Sequence, residues 1–256
     1  FLACSGMITS LRRRRPKETT LRSPFADLSF DLNATFAQGN ENFERAFTVE
    51  NGLGPIFKNS SCAGCHPGDG RGTAAEAFFR FSRGDDLAFD IGGQQHQDKS
   101  IPEIPVEELP DGVNRSKRLP PPVFGVGLIE AIPVETILSR ADEDDADGDG
   151  ISGRPNWVTA ADFVPATEVG GGPGQQLGRF SRKGQVSYLV QQIAEAYQQD
   201  MGITSDFIPV ETSDPQAGAF AVGNLVPDPE IPASIVLQTV VYVRFLSPPK
   251  RGEITP

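Results

Sequence analysis

Two long segments of the chain have apolar residues at helical spacing, and both predict helices. In residues 182–201 the apolar residues form one stripe, which consists of Val186, Leu189, Val190, Ile193 and Tyr197. The opposite side of that helix carries the polar residues Gln191, Gln192, Glu195 and Gln198. Gly202 follows as a stop signal. Residues 233–246 are apolar and rich in β-branched side chains, so we expect a largely buried helix that ends before Pro248.

The rest of the pattern predicts short elements joined by loops. Residues 1–38 have no apolar periodicity and are predicted to form a tail or linker, with one folded domain in residues 39–256. Short helices are predicted at 40–47 and 134–141, and a short strand or hairpin at 78–89. The prolines of residues 100–127 predict extended chain. Together with 27 glycines and 22 prolines in all, the pattern predicts a mainly α fold with long loops and little strand.

Composition and charge narrow the classes of partner. The 256 residues are 38% hydrophobic, which is enough to bury a core. The formal net charge of −11 argues against nucleic acid or an anionic membrane surface as a partner, because both would repel the chain. The same charge suits a basic partner protein. No apolar run approaches the roughly 20 residues of a membrane-spanning helix.

The run Cys62-Ala63-Gly64-Cys65-His66 carries the most specific chemistry in the sequence. Two thiols one helical turn apart can form thioethers with both vinyl groups of one haem, and the next residue presents an imidazole to the iron. A redox dithiol would need a thioredoxin-like strand and helix, whereas the glycine-rich residues 68–72 follow here. A zinc site would need four ligands, and Cys4 and His96 form no second close pair. The motif therefore predicts covalently attached haem c, with Cys62 and Cys65 bound to it and His66 as an iron ligand.

The second axial ligand would decide what such a haem does. An open iron site binds peroxide, whereas a strong sixth ligand makes an electron carrier. His96 and Met201 are the candidates. His96 also fits a solvated loop histidine, and Met201 also fits a core side chain, so the sequence assigns no sixth ligand.

An acidic loop resembles the first half of a calcium-binding loop. Asp145, Asp147 and Asp149 alternate with small residues, so that their carboxylates could converge on one cation. The twelfth position is Asn156 rather than glutamate, so the bidentate ligand of an EF-hand is missing. Six acidic residues within positions 142–149 would repel one another without a cation. Calcium and a solvated Asp-Gly turn both remain open.

The first residues predict export. Phe1-Leu2-Ala3-Cys4-Ser5-Gly6 resembles the end of a lipoprotein signal, in which Cys4 would be acylated after cleavage. An incidental cysteine in a frayed tail is the alternative. Because attachment of haem c requires export, we expect a periplasmic or outer-envelope lipoprotein of bacterial type.

Over most of residues 40–250 the chain resembles the di-haem oxidoreductase family of peroxidases, also labelled thiol oxidoreductases. That family is related to bacterial di-haem cytochrome c peroxidases. The resemblance rests on six runs: GLGPIF (52–57), CAGCHPGDGRG (62–72), RLPPPVFGVGLIEAIP (118–133), DADGDGISG (145–153), LGRF (177–180) and DMGITS (200–205). A thiol-oxidising role is disfavoured because haem attachment would consume both thiols.

The resemblance implies a cytochrome c-like domain with specific roles for several residues. Glu130 would be the acid–base residue for peroxide cleavage, with a paired or surface glutamate as the alternative. Arg118 and Arg179 would contact haem propionates, since a guanidinium group suits carboxylates. Trp157 would lie on an electron path between haems or, more simply, in the core.

The resemblance also implies a reaction and a missing partner haem. Hydrogen peroxide would be the substrate and a small cytochrome the electron donor, with a non-catalytic electron-transfer cytochrome as the alternative. Members of the family carry a second Cys-x-x-Cys-His after a segment like residues 242–249. The chain ends at Pro256 before such a motif, so we expect the first haem domain of a protein roughly twice as long.

Overall fold

Six α-helices and six short strands make up the described part of the chain. In a computed structural model, residues 22–86, 94–164, 174–212 and 225–250 are described. The helices are α1 (Phe30–Glu44), α2 (Cys62–Cys65), α3 (Val126–Glu130), α4 (Val134–Leu138), α5 (Leu189–Met201) and α6 (Ala233–Phe245). The strands are β1 (Ile56–Phe57), β2 (Phe78–Ser82), β3 (Lys99–Ser100), β4 (Asn114–Arg118), β5 (Trp157–Thr159) and β6 (Gln175–Leu177). Two 3₁₀ turns occur at Val49–Asn51 and Pro67–Asp69.

Helix α6 is the centre of the core, as its apolar sequence predicted. Helices α1, α3 and α5 all pack against it. Val236 and Tyr242 of α6 and Ala194 of α5 are completely buried. Helix α1 crosses α6 at Gly39, where any Cβ would collide with the carbonyl oxygen of Gln238. The close approach of these two helices therefore requires glycine at this position.

Helix α1 begins further upstream than the sequence predicted. It starts at Phe30 rather than at residue 40, because the side-chain oxygen of Ser29 accepts a hydrogen bond from the backbone N–H of Leu32 and caps the helix. Phe36 is buried and packs on Tyr242, with 4.9 Å between ring centroids. Residues 30–38 of the predicted tail are thus helical. The division of the chain into a tail and a haem domain stays a prediction.

Helix α5 begins later than predicted, at Leu189 instead of residue 182. The preceding residues form a tight antiparallel bridge between Phe180 and Val186, with Gly184 in the left-handed conformation at φ +58°. This bridge uses the backbone groups that an extra helical turn would need. The predicted C-terminal end is confirmed, with Gly202 in the left-handed conformation after Met201.

The prediction of a mainly α fold is wrong. Of the described residues, 30% are helical and 16% pair in strands or isolated bridges. The strands form two-stranded antiparallel sheets, β1–β3, β2–β4 and β5–β6. The predicted strand near residue 78 is confirmed, but its partner lies in the proline-rich stretch that was expected only to be extended. The local sequence pattern does not show such pairing, because the paired strands lie far apart in the chain.

None of the helices in the described ranges is long and apolar enough to cross a membrane.

The core also supports the cysteine motif. Tyr242 of α6 donates a hydrogen bond of 2.7 Å to Asp69, which lies in the turn just after α2. Arg22 forms an ion pair with the other oxygen of the same carboxylate at 3.0 Å. The turn after His66 is therefore held by the core and by the first described residue.

Candidate functional site

The three chemical groups of the cysteine motif line one cavity. Cys62, Cys65 and His66 form part of its wall, and the cavity leaves about 320 Å³ for the centres of water-sized molecules. The wall is largely apolar, and its larger apolar members are Phe43, Phe78, Pro120, Pro121, Pro122, Val123, Phe124, Ile129, Leu189, Ile193 and Val243. Elements from all parts of the described chain therefore meet at the motif.

A short helix presents the motif to the cavity. Ser61 caps α2 by accepting a hydrogen bond of 3.0 Å from the backbone N–H of Gly64. One helical turn separates Cys62 from Cys65, which brings both side chains to the same side. After His66 the chain turns through Gly68, with φ of +63°, a conformation that favours glycine.

The imidazole of His66 is held in a largely buried position. Its Nδ1 lies 3.4 Å from the carbonyl oxygen of Gly70, and its ring lies 6.2 Å from that of Phe43. Burial lowers the pKa of His66, so the neutral ring is favoured. A neutral histidine whose Nδ1–H faces a carbonyl keeps the lone pair of Nε2, as a metal ligand requires.

Burial favours the protonated form of both thiols. Burial raises the pKa of Cys62 to about 12 and the pKa of Cys65 to about 11. Thiols with such pKa values are protonated at neutral pH, whereas redox-active thiols depend on a populated thiolate. The geometry thus disfavours a dithiol redox centre.

Four arginines line the same wall: Arg179, Arg118, Arg80 and Arg182, the last of which donates from Nε to the carbonyl oxygen of Leu119 at 2.9 Å. Arg179 donates from Nη1 to the carbonyl oxygens of Ile129 and Ile132, at 2.8 and 2.7 Å. Within the described ranges its Nη2 is buried without a hydrogen-bond partner. Arg118 donates to the side-chain oxygen of Gln185 at 2.6 Å. Buried guanidinium nitrogens without partners are costly, so they indicate that the cavity accommodates an acceptor.

The third arginine, Arg80, was missed by the sequence reasoning. It lies on β2, lines the cavity, and has a buried Nε without a partner in the part of the chain that the structure describes. Burial lowers the pKa of Arg80, and the nearby Arg118 lowers it further. The alternation of residues 79–83 was the available signal, but the pattern alone does not tell which face of a two-stranded sheet is covered.

The polar side of α5 faces the cavity. Gln192, Glu195 and Gln199 line it, and the side-chain oxygens of both glutamines are buried without a partner among the described residues. Burial raises the pKa of Glu195 and also that of Asp200, whose carboxylate accepts a hydrogen bond of 2.5 Å from Gln95. In a surface helix this side would face solvent, whereas here it forms a polar wall of the site.

The two candidates for a sixth ligand lie in different places. Met201 lines the cavity and is almost completely buried. His96 does not line it, and its Nε2 lies 3.0 Å from the carbonyl oxygen of Glu107. Of the two, only Met201 shares the cavity with His66.

The comparisons with known proteins agree with this site. The family described as di-haem oxidoreductase, putative peroxidase, matches residues 3–83 and 91–220. The chain belongs to this family. The match therefore includes the cysteine motif, the arginines and the polar side of α5. It begins further upstream than the resemblance predicted from the sequence, which covered residues 40–250. No curated protein and no solved structure matches the chain.

Membership of this family makes the chain an oxidoreductase in the broad sense and implies haem as its cofactor. It does not by itself decide which residues act. Glu130, the predicted acid–base residue, is buried but does not line the cavity. Its two carboxylate oxygens accept hydrogen bonds from the backbone N–H of Leu189 at 3.0 Å and from Nε of Arg244 at 2.5 Å. Its catalytic role stays a prediction, and its visible contacts join α3, α5 and α6.

The acidic loop of the oxidoreductase brings a different set of aspartates together from the one predicted. The carboxylate oxygens of Asp142, Asp145 and Asp147 lie within 4.8 Å of one another. Asp149 instead accepts a hydrogen bond from the N–H of Ile151 at 2.8 Å. Calcium binding stays a prediction. In the structure, Asp142 takes the place of Asp149 in the predicted set of three aspartates.

Two further residues have different surroundings from those expected. Trp157 lies on β5 and is 44% exposed, so its predicted packing in the core is wrong. Cys4, the predicted lipid anchor, lies outside the described residues.

Proposed function

We propose that this chain is a c-type haem domain of a peroxide-reducing di-haem enzyme. Cys62 and Cys65 would hold the haem through thioether bonds, and His66 would ligate its iron. The observation that supports this most directly is the shared cavity, in which all three motif side chains face apolar walls and buried, unpartnered guanidinium nitrogens.

The residues of the cavity fit haem in both of its chemical parts. The macrocycle is apolar, and the wall offers aromatic, proline and branched side chains to it. The propionates are carboxylates, and Nη2 of Arg179 is a buried donor that lacks an acceptor within the described residues. Arg118 offers further donors in the same wall. Each kind of surface on the cofactor therefore has a counterpart in the protein.

When bound, the haem supplies an iron centre that can pass electrons to peroxide. The protein contributes position and environment. The contact between Nδ1 of His66 and Gly70 orients the imidazole, and the apolar wall excludes water, which strengthens electrostatic interactions inside the cavity. The carboxyl group of Glu195 keeps its proton to higher pH than an exposed glutamate would, because it is buried in that wall.

The substrate, the electron donor and the cellular location are also proposed. Hydrogen peroxide is the substrate and a small cytochrome the electron donor, since the net charge of −11 favours a basic partner and disfavours nucleic acid. The protein is exported to the periplasm or outer envelope, with a lipid on Cys4, because haem c is attached outside the cytoplasm. Both expectations rest on the sequence.

A second function, electron transfer without catalysis, is favoured by one observation. Met201 is buried and lines the same cavity as His66. A thioether ligand on the other side of the iron would raise the reduction potential and close the site to peroxide.

The ferric absorption spectrum separates these functions. The chain is expressed in an export host with c-type cytochrome assembly, and haem retention after denaturation tests the covalent bonds. A high-spin spectrum that changes on adding peroxide supports the peroxidase. A low-spin spectrum that ignores peroxide, and becomes high-spin in Met201→Ala, supports the electron carrier. Loss of covalent haem is expected in Cys62→Ala/Cys65→Ala but not in the parent, and covalent haem in the double variant would contradict the proposal.

A further inference from the structure

A second pocket lies beside the cavity, against the β2–β4 sheet. It leaves about 140 Å³ for the centres of water-sized molecules, which suits a ligand of a few heavy atoms. Its wall consists of Arg80, Phe81, Ser82, Gln94, Asn114, Arg115, Ser116, Arg118 and Gln185. Arg80 and Arg118 are the two residues that it shares with the larger cavity. We refer to it as the arginine pocket.

The pairing register of the sheet explains why two arginines converge here. Phe78 pairs with Arg118 and Arg80 pairs with Ser116, so Arg80 and Arg118 lie on the same face of the sheet as diagonal neighbours. Arg115 and Lys117 occupy the alternate positions and belong to the other face. Consistent with this, Arg115 donates a hydrogen bond of 2.8 Å to the carbonyl oxygen of Pro110.

The arginine pocket is basic in an acidic protein. Within the described residues, no aspartate or glutamate lines it, although the chain carries a net charge of −11. The closest negative charges that act on Arg80 are Asp200 and Glu195, and both lie in the wall of the larger cavity. The pocket side of the two guanidinium groups therefore has no carboxylate partner among the residues described.

Two observations on Arg80 indicate a ligand with acceptor atoms. Its Nε is buried and unpartnered within the described ranges, in a side chain that is half-buried as a whole. Arg118 is its diagonal neighbour on the same face of the sheet, and the charge of Arg118 acts to lower the pKa of Arg80, whereas Asp200 and Glu195 act to raise it. A buried donor without an acceptor and two adjacent cations are both costly, and one bound anion would relieve both costs.

We propose that the arginine pocket binds a small free carboxylate or oxyanion between Arg80 and Arg118. Ser82, Asn114, Ser116 and Gln185 supply neutral hydrogen-bonding groups around it. Because both arginines also line the larger cavity, the bound anion lies next to the proposed haem site. The same carboxylate chemistry could come from a haem propionate, and the experiment distinguishes the two sources.

Calorimetric titration of the haem-loaded chain with inorganic phosphate and with acetate tests the proposal. Saturable binding of at least one of them is expected, weakened about tenfold or more in Arg80→Gln because a charge-assisted hydrogen bond is lost. Lys117→Gln removes the same charge from the opposite face of β4 and serves as the matched control, with binding unchanged. Absence of saturable binding to the parent at millimolar concentrations overturns the proposal, and so does equal weakening in both variants.

Two further readouts identify the source of the anion and guard against misfolding. If phosphate and acetate do not bind the parent, but Arg80→Gln shifts the absorption spectrum of the bound haem, the arginines serve a propionate and the free anion is ruled out. If Arg80→Gln does not fold, the parent is treated with phenylglyoxal and the modified arginines are mapped by mass spectrometry. Phosphate is expected to protect Arg80 and Arg118 but not Arg140, which is exposed and lies outside the pocket, and equal modification with and without phosphate overturns the proposal.

Discussion

Replacing Glu130 tests whether this buried carboxylate holds the fold together or takes part in chemistry. Its side chain is 6% exposed and contacts two separate elements. One oxygen accepts from the N–H of Leu189, the first residue of α5, and the other from Arg244 in the last turn of α6. A carboxylate at a helix N-terminus is also favoured by the helix dipole. Glu130→Ala removes all these interactions, whereas Glu130→Gln keeps the shape and one oxygen acceptor.

The contacts set the size of the effect. Breaking a buried ion pair by removing one partner costs about 3–5 kcal/mol, and an unpartnered buried N–H costs about 1–3 kcal/mol. The Arg244 side chain is 28% exposed, so water compensates part of the first cost. We therefore expect Glu130→Ala to lower the free energy of unfolding by about 3 kcal/mol, and Glu130→Gln by about 1–2 kcal/mol. For a chain of this size, about 3 kcal/mol corresponds to a fall in Tm of about 6–12 °C.

Urea denaturation and thermal melting measure these changes, with Glu135→Ala as the control because Glu135 is an exposed glutamate on the neighbouring helix α4. Glu130→Ala within about 0.5 kcal/mol of the parent would refute the structural reasoning. The peroxide reaction of the haem-loaded protein is measured in the same variants. A large loss of rate in Glu130→Gln with little loss of stability would support the catalytic role predicted from the family resemblance.

Three other changes probe the packing of α1 on α6, the acidic cluster of Glu211, Asp228 and Glu230, and the calcium loop. Gly39→Ala is expected to destabilise the protein by about 2 kcal/mol in urea denaturation, since the new methyl group collides with the α6 backbone; a gain in stability, as alanine gives in an open helix, would show that α1 and α6 lie further apart. Burial and the nearby Glu230 and Asp228 raise the pKa of Glu211 to about 9. A carboxyl group that keeps its proton in the folded state contributes stability at low pH and loses it as the pH rises through about 9. The Tm of the parent should therefore fall between pH 5 and 9, and the Tm of Glu211→Gln should fall less over the same range. If both proteins show the same dependence of Tm on pH, Glu211 is not the cause of the fall. If calcium binds, it should raise the Tm of the parent but not of Asp147→Ala, and no rise in the parent would exclude the site.

The chemistry of the site could be predicted from the sequence because it depends on local spacing. Two cysteines and a histidine within five residues lie close together without the help of any distant segment, and Ser61 and the following glycines support the turn that presents them. The buried helix α6 could be predicted for a similar reason, since an apolar segment without a polar face has to lie in the core.

The amphipathic helix shows where the same reasoning fails. Its apolar stripe was predicted, and Leu189, Ile193 and Tyr197 are buried. Such a pattern ordinarily indicates solvent on the polar side, but Gln192, Glu195 and Gln199 line the cavity. A helix between a core and a polar cavity has the same pattern as a helix between a core and water, so periodicity cannot distinguish them.

Taken alone, the sequence determined the haem-binding motif, the family and the helices with strong periodicity, because each depends on residues that are close together in the chain. Only the tertiary structure showed the small antiparallel sheets, the position of Arg80 beside Arg118 and the pairing of Glu130 with Arg244. Each of these depends on contacts between segments far apart in sequence: β2 with β4, and α3 with α6. Such contacts form because distant segments bury apolar surface together, and no short stretch of sequence records which partner a given face will meet.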